Sequence, residues 1–120
     1  MSDKGALLIV DDNDSNRRTL AALLELEDYV VETADGLGTA EAALEKRAYV
    51  AVLVDVNLGA QDGLALVPAV RRLQSGAQLI AMSGDVLSAE REALVDGFFL
   101  KGTSVDELVA ALEARAAGAA

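Results

Sequence analysis

The chain alternates short apolar runs with longer segments in which apolar residues recur at helical spacing. The apolar runs predict five strands, near residues 6–10, 29–32, 49–54, 77–82 and 98–100. The segments between them predict helices, as the spacing of Leu66, Val70 and Leu73 illustrates. Strict alternation of strand and helix predicts an α/β fold, a doubly wound parallel sheet with helices on both faces.

Two local features set the expected helix boundaries. Asp14 is a predicted N-cap for the first helix, because aspartate side chains accept hydrogen bonds from the free amides of a first turn. Pro68 lies inside the third helical segment, and proline costs about 3 kcal/mol in a helix interior. We therefore expect this helix to begin late or to kink at Pro68.

Charged and hydroxyl side chains stand at the ends of four apolar runs. Asp11 and Asp12 follow the first run, and Asp55 follows the third. The fourth run ends in Ser83 and the fifth in Lys101. Because ligands bind at the carboxyl ends of the strands in an open parallel sheet, we expect these five side chains to converge on one edge. Three clustered carboxylates need a hard cation, and a lysine and a serine beside them suit an anion.

Composition excludes several classes of function. The chain has 120 residues, 52% of them hydrophobic, which predicts one domain, residues 1–120, with an ordered core of about residues 5–116. Histidine and cysteine are absent, which excludes an imidazole base, thiol chemistry and disulfides. A net charge of −10 argues against nucleic acid as a direct partner. No run approaches the roughly 20 apolar residues that span a bilayer, and residues 1–5 are too short for a signal peptide, so we expect no membrane association and a cytoplasmic location.

The residues at the run ends resemble the receiver domain of two-component response regulators. The resemblance covers nearly the whole chain and rests on motifs in a fixed order. These are the acidic pair in Ile9-Val-Asp11-Asp12, the aspartate in Leu53-Val-Asp55-Val-Asn57, then Asp62-Gly63, Ser83-Gly84 and Lys101. The fold that this implies is flavodoxin-like, with a five-stranded parallel sheet of order 2-1-3-4-5 and five flanking helices.

The resemblance implies a role for each residue that would contact the phosphoryl group. Asp55 would be the phosphoacceptor, and Lys101 would pair with a phosphoryl oxygen. The Ser83 hydroxyl and the Gly84 amide would donate to other phosphoryl oxygens. Ser83 and Phe98 would form the switch, in which Ser83 moves inward and Phe98 fills the space that it leaves.

The resemblance also implies a magnesium site, in which Mn²⁺ can substitute for Mg²⁺. Asp12 and Asp55 would bind the metal directly, and Asp11 would act mainly through a bound water. The backbone carbonyl of Asn57 would supply a further oxygen. With the metal bound, the charge at the site inverts, so that an incoming phosphoryl dianion is attracted rather than repelled.

Two glycines depart from the family pattern. Gly102 follows Lys101 where a proline in a cis peptide is usual, and Gly59 also replaces a proline in the loop after Asp55. A cis peptide without proline costs about 2.5–4 kcal/mol, so we expect the Lys101–Gly102 peptide to be trans. Both glycines predict looser loops around the site, which bears on switching more than on phosphorylation.

The expected function is therefore a phosphorylation-dependent signalling switch rather than a conventional enzyme, although one able to catalyse its own phosphorylation and dephosphorylation. The resemblance implies a sensor histidine kinase, a phosphotransfer protein or a small phosphodonor as the source of the phosphoryl group. Because no output domain follows in this sequence, the expected output is a partner protein that reads the surface of helix 4, strand 5 and helix 5. A stand-alone regulator and a receiver excised from a longer protein both fit.

Two other classes of function stay open. One is a receiver-like interaction module that works without phosphorylation, which the looser loops favour. The other is a Mg²⁺-dependent hydrolase with an aspartyl-phosphate. Such hydrolases typically need an Asp-x-Asp motif, and Asn57 stands where its second carboxylate is required for acid–base chemistry.

Overall fold

A computed structural model of the chain describes residues 4–118. The predicted domain, residues 1–120, also includes segments 1–3 and 119–120, which lie outside the described residues. The strands of the main sheet are β1 (Ala6–Val10), β2 (Val30–Ala34), β3 (Ala51–Asp55), β4 (Gln78–Ser83) and β5 (Gly97–Leu100). The helices are α1 (Asp14–Glu25), α2 (Leu37–Leu44), α3 (Val67–Leu73), α4 (Ala89–Glu92) and α5 (Val105–Gly118). Across residues 4–118, no helix combines the length and the apolar character needed to cross a bilayer.

The five strands form one parallel sheet in the order β2-β1-β3-β4-β5. This order and the flanking helices confirm the predicted fold class. Every residue of β1 and β3 is buried, because helices cover both faces of the sheet. A strand covered on both faces is apolar throughout rather than alternating, which is why the apolar runs identified the strands.

The sheet separates two hydrophobic cores. Successive side chains of a strand point to opposite faces, so Leu8 of β1 packs in one core and Leu7 in the other. The first core includes Leu44 of α2, and the second includes Leu24 of α1 and Leu108 of α5. The helices thereby hold the strands in register and bring their carboxyl ends to one edge.

The first helix begins one residue earlier than the sequence indicated. The predicted N-cap, Asp14, is wrong: Asn13 has the extended backbone of a cap, and its side chain accepts a hydrogen bond from the Asn16 amide at 2.8 Å. Asp14 lies in the first turn, where its negative charge interacts favourably with the helix dipole. Asparagine and aspartate cap helices about equally well, so only the backbone conformation distinguishes the two positions.

The third helix begins late, as Pro68 predicted. A 3₁₀ turn spans Gly63–Leu66, and α3 then starts at Val67 with Pro68 in its first turn. At that position the missing amide of proline leaves no helical hydrogen bond unmade.

The loop after β3 turns back against the end of that strand. A short antiparallel pair joins Asn57–Leu58 to Gln61–Asp62, and the Gly63 amide then donates to the carbonyl of Val56 at 2.7 Å. A Cβ atom at Gly63 would lie 1.9 Å from the backbone carbonyl oxygen of Asp55. Glycine therefore allows the loop to approach the end of β3 closely.

We predict that Gly63→Ala lowers the free energy of unfolding by about 3 kcal/mol, because the added methyl group forces the end of β3 or the loop to move. Gly38→Ala is the matched control, since no atom outside the local helix backbone lies within 4 Å of a Cβ added at that position of α2. The control variant should be more stable than the wild type by roughly 0.5–1 kcal/mol, because glycine in a helix is less favourable than alanine. Urea denaturation followed by circular dichroism measures both changes, and equal stabilities of the two variants would contradict the close approach.

Candidate functional site

The five side chains at the strand ends lie at one edge of the sheet, as predicted. Asp55 ends β3, Ser83 ends β4 and Lys101 directly follows β5. Carboxylate oxygens of Asp11, Asp12 and Asp55 all lie within 4.8 Å of one another. The Lys101 ammonium forms an ion pair with Asp55 and lies 3.9 Å from Asp11 Oδ2. The parallel topology thus assembles one site from residues up to 90 positions apart along the chain.

Both carboxylate oxygens of Asp55 accept hydrogen bonds. Its side chain is buried, with 2% of the residue exposed. Oδ1 accepts a hydrogen bond from the Asn57 amide at 2.9 Å, and Oδ2 accepts one from the Lys101 ammonium. One oxygen is therefore tied to the local backbone, and the other is tied to the only cation placed at the centre of the acid cluster within residues 4–118.

Asp11 is buried, whereas Asp12 is exposed. Asp11 Oδ1 accepts from the Asn13 amide at 2.9 Å. Burial raises the pKa of Asp11, and the charges of Asp55 and Asp12 raise it further, against the lowering effects of the Asn13 amide and Lys101. The carboxylate of Asp12 faces solvent, so it can take a ligand without further exposure of the core.

The donor set fits a hard divalent cation. All three side chains present carboxylate oxygens, which Mg²⁺ prefers. Mg²⁺ binds oxygen at about 2.1 Å, so its oxygen ligands lie about 3–4 Å apart, within the 4.8 Å limit that encloses this cluster. Asn57 begins the short antiparallel pair after β3, and its amide contact with Asp55 keeps its backbone next to the cluster.

Ser83 uses the same type of turn as the two buried acids. Its hydroxyl oxygen accepts from the Asp85 amide at 3.1 Å, two residues further along the chain. Its backbone carbonyl accepts from the Lys101 amide at 2.7 Å, which fixes the lysine backbone beside β4. Gly84 is exposed, and no atom lies within 4 Å of a Cβ added there, so its surroundings are open to a ligand.

Phe98 is half-buried in β5 and packs against the core that contains α2 and α3. It also borders a groove of about 250 Å³ between β5 and α5, whose lining includes Leu108 and Glu107. Phe98 thus lies partly in the core and partly at a surface, which is compatible with the predicted switch role.

The Lys101–Gly102 peptide is trans, as predicted. Gly102 has φ of +96°, a backbone conformation that side-chain-bearing residues rarely adopt. Gly59, in the loop after Asp55, also has a left-handed φ of +61°. Both departures from the family pattern therefore occupy conformations that proline cannot reach.

Two arginines near the site were not identified from the sequence. Arg17 of α1 donates to the backbone carbonyl of Asp11 at 2.8 Å and to Asp14 at 2.5 Å. Arg91 of α4 donates through two nitrogens to Asp62, both at 2.9 Å, and lowers the pKa of that carboxyl. The three-residue spacing of Asp14 and Arg17 on a helix was a signal for the ion pair between these two residues. Asp62 and Arg91 are 29 positions apart, and no local pattern pairs them.

Sequence comparison identifies the family. The response regulator receiver domain family matches residues 7–113. The nitrate/nitrite response regulator protein NarP of Escherichia coli is 33% identical over 119 residues, which cover 93% of this chain and 55% of NarP. The sensor histidine kinase RcsC of Salmonella typhi is 32% identical over 111 residues, which cover 89% of this chain but 12% of the kinase. The chain thus spans about half the length of the regulator and a small part of the kinase.

Solved structures share the fold. A receiver domain from Methylobacillus flagellatus has a TM-score of 0.83 and 29% identity, over 91% of this chain and 96% of that chain. A response regulator from Burkholderia pseudomallei has a TM-score of 0.82 and 27% identity, over 95% of this chain and 72% of that chain. That structure contains a phosphorylated aspartic acid, a calcium ion and citrate. With the family match over residues 7–113 and the convergent acids and lysine at the sheet edge, this chain belongs to the receiver domains of two-component response regulators.

Proposed function

We propose that this chain is a signalling switch in which Asp55 accepts a phosphoryl group with the help of Mg²⁺. The observation that carries this proposal is the ion pair between Lys101 and Asp55 inside a cluster of three acids. A purely structural salt bridge would not require Asp11 and Asp12 beside it, since both add repulsion. The phosphorylated aspartic acid of the Burkholderia pseudomallei regulator supports the same role for Asp55.

In the proposed reaction, a carboxylate oxygen of Asp55 attacks phosphorus. A bond forms between that oxygen and phosphorus while the bond from phosphorus to the donor breaks. When the donor is the phosphohistidine of a histidine kinase, the departing imidazole takes up a proton from solvent. Such transfers depend on position and charge neutralisation more than on a strong nucleophile. Lys101 supplies positive charge at the attacking carboxylate. A bound Mg²⁺ would supply further positive charge to neutralise the phosphoryl oxygens.

The metal would be held by Asp12, Asp55 and the backbone carbonyl of Asn57. Asp11 would act mainly through a bound water, as the family resemblance implies. Mn²⁺ would substitute for Mg²⁺, since both take oxygen ligands. The exposure of Asp12 leaves room for the waters that Mg²⁺ retains.

The phosphoryl group would be read through Ser83, Gly84 and Phe98. Donors at Ser83 and Gly84 would bind phosphoryl oxygens, and the inward movement of Ser83 would favour an inward position of Phe98. A ligand shifts such an equilibrium only through contacts that differ between the two states. The hydroxyl of Ser83 accepts from the Asp85 amide, so its proton is available to a phosphoryl oxygen.

The proposed phosphodonor is a sensor histidine kinase or a phosphotransfer protein, and the proposed output is a downstream target protein. Receivers similar to this one occur both in NarP, a response regulator, and in RcsC, a sensor histidine kinase. Around α4, β5 and α5, Val86 and Leu94 are 78% and 47% exposed. These two exposed apolar residues flank α4 along the chain, and the groove at Phe98 lies between β5 and α5, so both features support this surface as the one that meets the target.

A second candidate is an interaction module that works without phosphorylation. Gly59 and Gly102 favour it, because their left-handed conformations lie in the two loops beside the acid cluster. The two functions differ in one measurement: the affinity for a captured partner should change when Asp55 is phosphorylated if the switch operates, and should stay equal if it does not.

We predict that acetyl phosphate adds one phosphoryl group to Asp55 in the presence of Mg²⁺, because the metal and Lys101 supply the neutralisation that a small donor needs. Intact-mass analysis with and without a chelator measures the adduct. An adduct that persists in Asp55→Asn, or that forms equally well in the chelator, would contradict the assignment.

Mg²⁺ should raise the melting temperature, because it relieves repulsion among acids that only the folded state brings together. A ligand at a hundredfold excess over its Kd stabilises by about 2.7 kcal/mol. Asp12→Asn should abolish the shift. Asp28→Asn is the matched control, since Asp28 is an exposed acid outside the cluster and asparagine tolerates its left-handed φ of +73°. Thermal melts that do not respond to tens of millimolar Mg²⁺ would argue against a metal site.

Gly102→Pro should lower stability by more than about 1 kcal/mol and slow phosphorylation by acetyl phosphate, because proline cannot adopt the φ of +96°. The distorted loop would aim the Lys101 ammonium away from Asp55. Gly102→Asn is the control, since asparagine tolerates left-handed conformations. If wild type and the proline variant were phosphorylated at equal rates, the shape of this loop would have no part in the reaction.

A further inference from the structure

Asp12 lies between two peptide groups that are each held by a hydrogen bond. The carbonyl of Asp11 accepts from Arg17 at 2.8 Å, and this carbonyl shares a planar peptide unit with the amide of Asp12. The next peptide is held by the Asn13 amide, which donates to Asp11 Oδ1 at 2.9 Å. Asp12 therefore has its backbone fixed on both sides, once by Arg17 and once by Asp11.

The carboxylate of Asp12 depends on this backbone for its direction. Within residues 4–118, no group donates a hydrogen bond to the Asp12 carboxylate, and the side chain is exposed. Asp11 and Asp55, by contrast, are each oriented by a backbone amide and are buried. Rotation of the peptide between Asp11 and Asp12 would move the Asp12 carboxylate away from the other two acids.

We infer that Arg17 is a positioning residue that aims Asp12 at the metal, through its hydrogen bond to the Asp11 carbonyl. The inference rests on the proposed function, because it assigns Arg17 to the same Mg²⁺ site. Asp14 in turn holds the second guanidinium nitrogen of Arg17 at 2.5 Å, so the arginine has a defined position. Its side chain is 15% exposed.

The positive charge of Arg17 and its hydrogen bond to the Asp11 carbonyl have opposite effects on the affinity for Mg²⁺. A guanidinium beside the acid cluster repels a metal cation, so removing its charge alone strengthens Mg²⁺ binding. Loss of the hydrogen bond to the Asp11 carbonyl weakens Mg²⁺ binding, because the Asp12 carboxylate is then no longer directed at the metal. The sign of the change in affinity therefore separates positioning from electrostatics.

Arg18 provides the matched control. It follows Arg17 on the same helix and pairs with the same Asp14, through Nε at 3.1 Å from Oδ2. Its side chain is 79% exposed, and it belongs to the surface rather than to the site. Arg18→Gln removes the same charge from nearly the same place while the Asp11 carbonyl keeps its donor.

The experiment measures the Kd for Mg²⁺ of the wild type, Arg17→Gln, Arg17→Lys and Arg18→Gln by calorimetry and by amide NMR titration of the metal-free chain. Arg17→Gln should bind Mg²⁺ about tenfold more weakly, the usual effect of removing a group that orients a metal ligand. Arg17→Lys should lie between it and the wild type, because one ammonium cannot serve both Asp11 and Asp14 as a guanidinium does. Arg18→Gln should stay within about twofold of the wild type or bind more tightly.

A second readout does not involve the metal. The amide signal of Asp12 in the metal-free chain should shift in Arg17→Gln and stay in place in Arg18→Gln, because only Arg17 bonds the peptide that contains this amide. Arg17→Lys keeps the charge and the long apolar stem, so it tests the role even if the glutamine variant is too unstable to measure.

Equal or tighter Mg²⁺ binding in both Arg17 variants, with the Asp12 signal unmoved, would overturn the role of Arg17 while the proposed function stands. A wild-type chain that binds no Mg²⁺ would overturn the proposed function and the role of Arg17 with it.

Discussion

Repulsion among three carboxylates at one edge of the sheet is the constraint on which the rest of the site depends. Burial of Asp11 and Asp55 strengthens that repulsion, because charges interact more strongly away from water. The raised pKa of Asp11 reflects this burial and the neighbouring charges. Lys101 supplies one positive charge against three negative ones, so a divalent cation is the natural complement and an added phosphoryl group increases the need for it.

The strand ends share one device that orients the reactive side chains. Asp11, Asp55 and Ser83 each accept a hydrogen bond from the amide two residues later, at 2.9, 2.9 and 3.1 Å. For the two acids this contact occupies Oδ1 and leaves Oδ2 toward Lys101. Each buried carboxylate thus has one oxygen that fixes its position and one that faces the charges of the site. Arg17 extends the same principle to the backbone of the exposed acid, Asp12.

The fold and the central residues of the site could be predicted because both follow from simple periodicities. Apolar runs located all five strands within two residues of their observed bounds, and parallel topology then required Asp55 and Lys101 to meet. Contacts decided by side-chain reach could not be predicted. The pairing of Arg91 with Asp62 joins distant segments, and the choice of Asn13 over Asp14 as the helix cap depends on backbone angles. The close approach of Gly63 to the end of β3 could not be predicted either, because the sequence shows the glycine but not the backbone that lies against it.

A crystal structure with Mn²⁺ and beryllofluoride, which mimics a phosphoryl group, tests the central claim most directly. The anomalous signal of manganese should lie within about 2.5 Å of oxygens from Asp12, Asp55 and the Asn57 carbonyl. Beryllium should be bonded to Asp55, with one fluorine atom paired with Lys101. A manganese peak away from the acid cluster, or beryllofluoride bound elsewhere while Lys101 keeps its ion pair with a bare Asp55, would contradict the account.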